Sequence, residues 1–154
     1  MSKTIKKISC IDIGSNAIKY RQYRLLKNDS IELDTFKRIP LRLGADAFSL
    51  GKMSDKTYED FKWTLKKLKK HAMKKNSELL GIFATSAMRT FSNQSQILKK
   101  IKKDLNLKID ILSGREEASL LRYFEYKEFK KTQTLLVDVG LSLIHISEPT
   151  RRRT

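Results

Sequence analysis

One cysteine in 154 residues, Cys10, excludes an intramolecular disulfide and any cysteine-built metal cluster. It falls inside an apolar stretch, so its expected role is that of a small hydrophobe in a reducing compartment. No segment approaches the roughly 20 apolar residues that span a bilayer, and the basic N-terminus carries no apolar run of signal-peptide length. The expectation is a cytoplasmic protein with no membrane partner. Acids are also scarce: 17 Asp and Glu face 33 Lys and Arg, a formal charge of +16. Such a field concentrates any polyanion, yet lysine-lined solvated helix faces account for it equally well, so charge alone selects no partner. What is present is an apolar fraction of 40%, enough for the core of one ordinary domain.

The chain is organised around Cys10-Ile11-Asp12-Ile13-Gly14-Ser15-Asn16. A β-branched strand runs here into an acid, a glycine able to take positive φ, and two small polar residues. Hydroxyl, amide and main-chain N–H donors on such a turn suit phosphate oxygens, although a plain hairpin has the same signature. Residues Thr4 to Ile13, Ala17 to Leu26 and Ile31 to Pro40 read as a three-stranded antiparallel meander. Leu41 to Gly51, with two glycines, reads as a loop over a cleft. Ser54 or Asp55 then caps a helix with Tyr58, Phe61, Leu65, Leu68 and Ala72 on one face. His71 is expected on its surface.

Leu79 to Ala84 reads as a short strand ending in Thr85-Ser86-Ala87-Met88-Arg89. A second helix follows, capped near Asn93 or Ser95, and then a strand over Leu107 to Leu112. Ser113-Gly114-Arg115-Glu116-Glu117 opens a third helix carrying Ala118, Leu121, Phe124 and Tyr126. Leu135 to Val137 starts a last strand and delivers Asp138-Val139-Gly140, a second acid-to-glycine strand end. Three antiparallel strands followed by alternating helices and strands make an α/β fold with a mixed sheet. Asp12, Arg89, Glu117 and Asp138 all fall beyond the carboxyl ends of its strands, where ligands bind in such sheets.

The two carboxylates opening the third helix have separable roles. Ser113 and Glu116 form a capping box, in which hydroxyl and carboxylate each take an orphan backbone N–H. Glu117 has no such task and projects from the inner stripe, where it can accept a proton from water, or simply favour the helix dipole. Arg89 offers a five-donor fork suited to phosphate. Asp138 is a reasonable magnesium ligand.

Asp12-Ile13-Gly14-Ser15-Asn16, Ala84-Thr85-Ser86-Ala87-Met88-Arg89, Ser113-Gly114-Arg115-Glu116-Glu117-Ala118 and Leu136-Val137-Asp138-Val139-Gly140 resemble, in order and spacing, the motifs of the exopolyphosphatase and guanosine pentaphosphate phosphatase family. The resemblance covers residues 4 to 140. It implies a ribonuclease H-like domain of the sugar kinase, heat-shock chaperone and actin superfamily, paired in the parent with a second such domain across a phosphate cleft. It implies Mg2+-dependent hydrolysis of a terminal phosphoanhydride, with inorganic polyphosphate or guanosine pentaphosphate as substrate, and it allows a homodimeric parent. Carried over by residue, Gly14, Ser15 and Asn16 resemble the first phosphate loop, Arg89 the phosphate-contacting arginine, Glu117 the glutamate that activates water, and Asp138 and Gly140 the start of the second phosphate loop; Asp138 and Asp12 are the expected metal ligands. Ala17 and Ser119 depart from the family's usual serine and arginine, which bears on affinity and substrate choice.

The domain boundaries expected from this resemblance are residues 1–126 for the first actin-like domain and 127–140 for the start of a second, truncated one. Leu141 to Thr154 departs from the family pattern and resembles a reading frame of a transposase-derived sequencing adapter. Residues 141–154 are therefore expected to be non-native, and the truncated chain inactive. A basic polyanion-binding module without chemistry is the competing reading. No single-strand stacking platform accompanies the lysines, so no specific nucleic-acid partner is expected.

Overall fold

A computed structural model describes residues 4–125, 137–140 and 143–146, with 121–125 and the last two segments described as backbone. Strands β1 (Thr4–Ile13), β2 (Ala17–Leu26) and β3 (Ile31–Pro40) form the expected antiparallel meander. Helices α1 (Leu43–Leu50) and α2 (Asp55–Lys74) follow, then β4 (Glu78–Ala84), α3 (Ser86–Thr90), α4 (Gln94–Leu105), β5 (Asp110–Ile111) and α5 (Gly114–Glu125). Two further strands, β6 (Val137–Gly140) and β7 (Leu143–Ile146), pair antiparallel. The main sheet has five strands in the order β3-β2-β1-β4-β5, with β1, β4 and β5 mutually parallel. This is the mixed sheet that the alternation of elements predicts.

The core lies against one face of that sheet. Ile11, Ile13, Ile18, Tyr20, Ile82 and Ala84 meet Phe61, Leu65 and Leu68 of α2 and Ile97 and Ile101 of α4. Helix α2 forms because its apolar residues recur on one stripe and Ser54 caps it, its Oγ accepting from the Thr57 N–H at 3.3 Å. Asp46 holds this cap in place by accepting from the Ser54 N–H at 2.8 Å. Burial raises the Asp46 pKa, but the bonds from Ser54 and Thr57 outweigh it and hold the carboxyl below its usual range.

Four expectations need correction. Leu41 to Gly51 is mostly helix, not loop: Leu43 and Ala47 bury one side of α1, and Gly51 ends it at φ 63 in the left-handed conformation common after helices. The strand over Leu107 to Leu112 shrinks to two residues, because β4 offers partners only at Phe83 and Ala84. Helix α4 starts after Asn93 without a side-chain cap, since the Asn93 amide is spent on the Met53 N–H and carbonyl. His71 is not a plain surface residue, for its ring packs edge-on against the buried Tyr20 at 5.4 Å. Tyr126 and most of residues 127–140 lie outside the described residues.

Candidate active site

The parallel strands end side by side. The Thr85 N–H donates to the Ile13 carbonyl at 3.3 Å and the Leu112 N–H to the Ala84 carbonyl at 2.9 Å, so the segments leaving β1, β4 and β5 occupy consecutive rungs. Two strand spacings of ~4.8 Å separate the first of these corners from the last. The crevice beyond such ends is where open α/β sheets bind ligands.

The first corner is the β1–β2 turn. The Gly14 N–H donates to the Ala17 carbonyl at 3.1 Å, which closes the turn and commits that donor. Gly14 does not use positive φ, contrary to expectation; among the described glycines Gly51 alone does. A side chain at Gly14 would instead stand 3.3 Å from the Ala17 carbonyl. The turn is more than a plain hairpin, because the next segment docks on it: the Ser15 carbonyl accepts from the Gly44 N–H at 2.7 Å and the Asn16 carbonyl from the Leu41 N–H at 3.1 Å. The sequence marks Gly44 only as a loop glycine, with nothing to show that it docks on this turn. A Cβ there would lie 3.1 Å from the Ser15 Cβ, tighter than an ordinary contact, so a larger residue would press on the turn. Ser15, Asn16 and α1 border a hollow of about 540 Å³.

The other two corners meet through one ion pair. Arg89, on the short helix after β4, directs Nη1 to both the Leu112 carbonyl and Glu117 Oε2, the latter at 3.2 Å. Both side chains are mostly covered, at 25% and 33% exposure, so the pair is shielded from full solvent screening. Among the described residues Nε and Nη2 of Arg89 take no hydrogen bond, which leaves the bidentate edge of the fork open. The capping box forms as expected: the Ser113 N–H donates to Glu116 Oε2 at 2.8 Å and the Glu116 N–H to Ser113 Oγ at 3.2 Å. The Ser113 N–H, then its hydroxyl, hold the Glu116 carboxyl below the usual range. The Ser119 hydroxyl turns back onto the Glu116 carbonyl at 2.8 Å.

Asp12 stands apart from these groups. It precedes Ile13 on β1, and one of its oxygens sits 3.2 Å from Lys19 Nζ on the neighbouring strand. Among the described residues no three His, Cys, Asp or Glu side chains converge. Magnesium does not require such a cage, since it keeps waters and takes one or two carboxylates with substrate phosphates, and the second Asp12 oxygen is a donor of that kind. Asp138 and Gly140 belong to β6, opposite His145 and Leu143. The Asp138 side chain lies outside the described residues.

A model of the Ppx/GppA phosphatase family matches residues 32–148. Exopolyphosphatase 1 of Mycobacterium bovis is 22% identical over 143 residues, which is 92% of this chain and 42% of that protein. The Mycobacterium leprae protein of the same name is 23% identical over 114 residues, 74% of this chain and 34% of its own. The chain thus spans less than half the length of these curated relatives. Among solved structures, a Ppx/GppA member from Aquifex aeolicus superposes with a TM-score of 0.77 at 20% identity, covering 88% of this chain and 44% of that one. An exopolyphosphatase from Cytophaga hutchinsonii gives 0.69 at 24%, covering 75% and 36%. The expected fold is therefore the observed one, and the matched span takes in the later three of the four ordered motifs, those at 84–89, 113–118 and 136–140: the chain belongs to the Ppx/GppA phosphatase family.

Proposed function

We propose that the full-length protein carrying this chain hydrolyses the terminal phosphoanhydride of inorganic polyphosphate and releases orthophosphate. The observation that carries the reading is the Arg89–Glu117 pair at 3.2 Å, which joins a phosphate-binding fork to a carboxylate at adjacent strand ends. Nη1, anchored by the Leu112 carbonyl, orients the guanidinium, and the open Nε–Nη2 edge takes two oxygens of the terminal phosphate. The phosphorus is then held within reach of Glu117. A water between them gives its proton to Glu117 as its oxygen bonds to phosphorus, the bridging P–O bond breaks, and the shortened chain leaves with that oxygen. Donors of the Ser15–Asn16 turn offset charge on the phosphate oxygens. Asp12 and Asp138 would hold Mg2+, which when bound neutralises part of the phosphate charge.

The names of the mycobacterial relatives support polyphosphate over a nucleotide substrate. In the full-length protein, Arg89→Gln is expected to lower kcat/KM for polyphosphate by about 10- to 100-fold, the range for losing a charge-assisted hydrogen-bond pair. Unchanged kcat/KM would contradict the role of Arg89. Faster phosphate release from guanosine pentaphosphate than from polyphosphate would assign the nucleotide as substrate instead.

A further inference from the structure

Helices α2 and α4 concentrate positive charge that the hydrolytic reading does not use. Six lysines and no acid lie from Phe61 to Lys74 of α2, and α4 adds four lysines against one acid, Asp104. The helices are tied side by side: Asp104 pairs with Lys62, and Lys69 Nζ donates to the Leu105 carbonyl at 2.6 Å. Those contacts commit two cations. Lys66, Lys70, Lys74, Lys99, Lys102 and Lys103 are exposed, and among the described residues their side chains make no ion pair or hydrogen bond. The surface also extends away from the candidate active site. Lys74 closes α2 just before the amino end of β4 at Glu78, whereas the site lies beyond the carboxyl end at Ala84, roughly 20 Å along the strand.

Helix stability does not account for this arrangement. Lys62, Lys66, Lys70 and Lys74 follow one another at four-residue spacing, so each neighbours the next along one row of the helix. Like charges at that spacing oppose helix formation. The helix dipole offsets the repulsion only in the last turn, which holds Lys74 but neither Lys66 nor Lys70. The first half of α2 follows the ordinary pattern, with Lys56 paired to Asp60 four residues on. A row of unneutralised cations that works against its own helix fits an anionic partner.

Trp63 narrows the class of that partner. It is the sole tryptophan of the chain, it follows Lys62 directly, and it is 56% exposed. Lys67 Nζ stands 3.4 Å from the ring centroid, over one face of the indole. An aromatic ring open to water among unpaired lysines suits a chain that offers phosphates and stacking bases together, which is single-stranded nucleic acid. Inorganic polyphosphate matches the charge but has nothing to stack. Neither helix contains arginine, so the bidentate fork that reads base edges is missing and the contact is independent of sequence.

We infer that the outer faces of α2 and α4 bind single-stranded nucleic acid without sequence preference, the lysines meeting phosphates and Trp63 stacking on a base. The inference stands independently of the phosphatase reading. Its test is fluorescence anisotropy of a labelled oligothymidylate of about 20 nucleotides, longer than one binding footprint, with the parent chain and variants checked for unchanged circular dichroism. Trp63 emission, followed in parallel, reports this surface alone and is expected to be quenched on binding. Lys66→Gln combined with Lys70→Gln is expected to weaken binding about tenfold and to make the slope of log affinity against log salt shallower by about 1.4. Trp63→Ala is expected to weaken binding about tenfold at an unchanged slope. Lys27→Gln combined with Arg38→Gln removes the same charge from exposed positions of the β2–β3 hairpin, and is expected to change affinity by less than about twofold. No binding by the parent chain, equal weakening by the two charge pairs, or parent-like affinity in Trp63→Ala would overturn the inference. Tighter binding of long-chain polyphosphate, insensitive to Trp63→Ala, would assign the surface to that polymer instead. A blue shift of Trp63 emission on phosphatidylserine vesicles, without quenching by the oligothymidylate, would assign it to a membrane.

Discussion

Glu116 and Glu117 are adjacent, equally acidic in sequence, and differ entirely in what they touch. Glu116 closes a local ring with Ser113, while Glu117 reaches across to Arg89, which lies 28 residues earlier in the chain. Ser113→Ala should therefore cost about 1 kcal/mol of stability through the lost cap, read as a lower urea midpoint with an unchanged slope. The capping box is legible from residue spacing because both partners lie within one helical turn. The Arg89–Glu117 contact is not, since it exists only once β4 and β5 pair in register and bring their exits together. Gly14 shows the reverse failure: glycine before two polar residues suggests positive φ, but the requirement met here is space beside the Ala17 carbonyl.

At the level of elements, β2 and α2 share a buried polar strip. The Tyr20 hydroxyl donates to Gln22 Oε1 at 2.8 Å, Gln22 in turn donates to Asp34 at 2.6 Å, and the Tyr20 ring meets His71. His71 Nε2 is buried and without a hydrogen-bond partner among the described residues. Burial, and then Lys37, Lys75 and Lys74, lower its pKa from the ordinary 6.5. The neutral imidazole is favoured in the fold, so its contribution is complete above pH 6.5 and declines as the unfolded chain takes up a proton below it. Melting temperature should fall more between pH 7.5 and 5.5 in the parent chain than in His71→Phe; parallel profiles would contradict this. The meander, α2 and α4 are legible because their apolar periods are long and regular. Helix α1 is hidden by its two glycines, which serve docking at Gly44 and termination at Gly51.

Across the whole molecule, the sheet order brings three separate sequence motifs to one edge: the β1 turn, Arg89 after β4 and Glu117 after β5. That convergence, rather than the +16 charge, is what favours the proposed hydrolytic reading over a general polyanion surface. On that proposal the charge would concentrate substrate and the ordered edge would give it a reacting geometry. The claim rests most heavily on the division of work between neighbouring glutamates. The measurement that tests it is single-turnover phosphate release from polyphosphate by the full-length protein, comparing Glu117→Gln with Glu116→Gln. Loss of the general base is expected to slow Glu117→Gln by about 10²- to 10⁴-fold, with polyphosphate still bound, while Glu116→Gln releases phosphate at close to the parent rate. Parent-like release by Glu117→Gln, or an equal loss in both variants, would contradict the account.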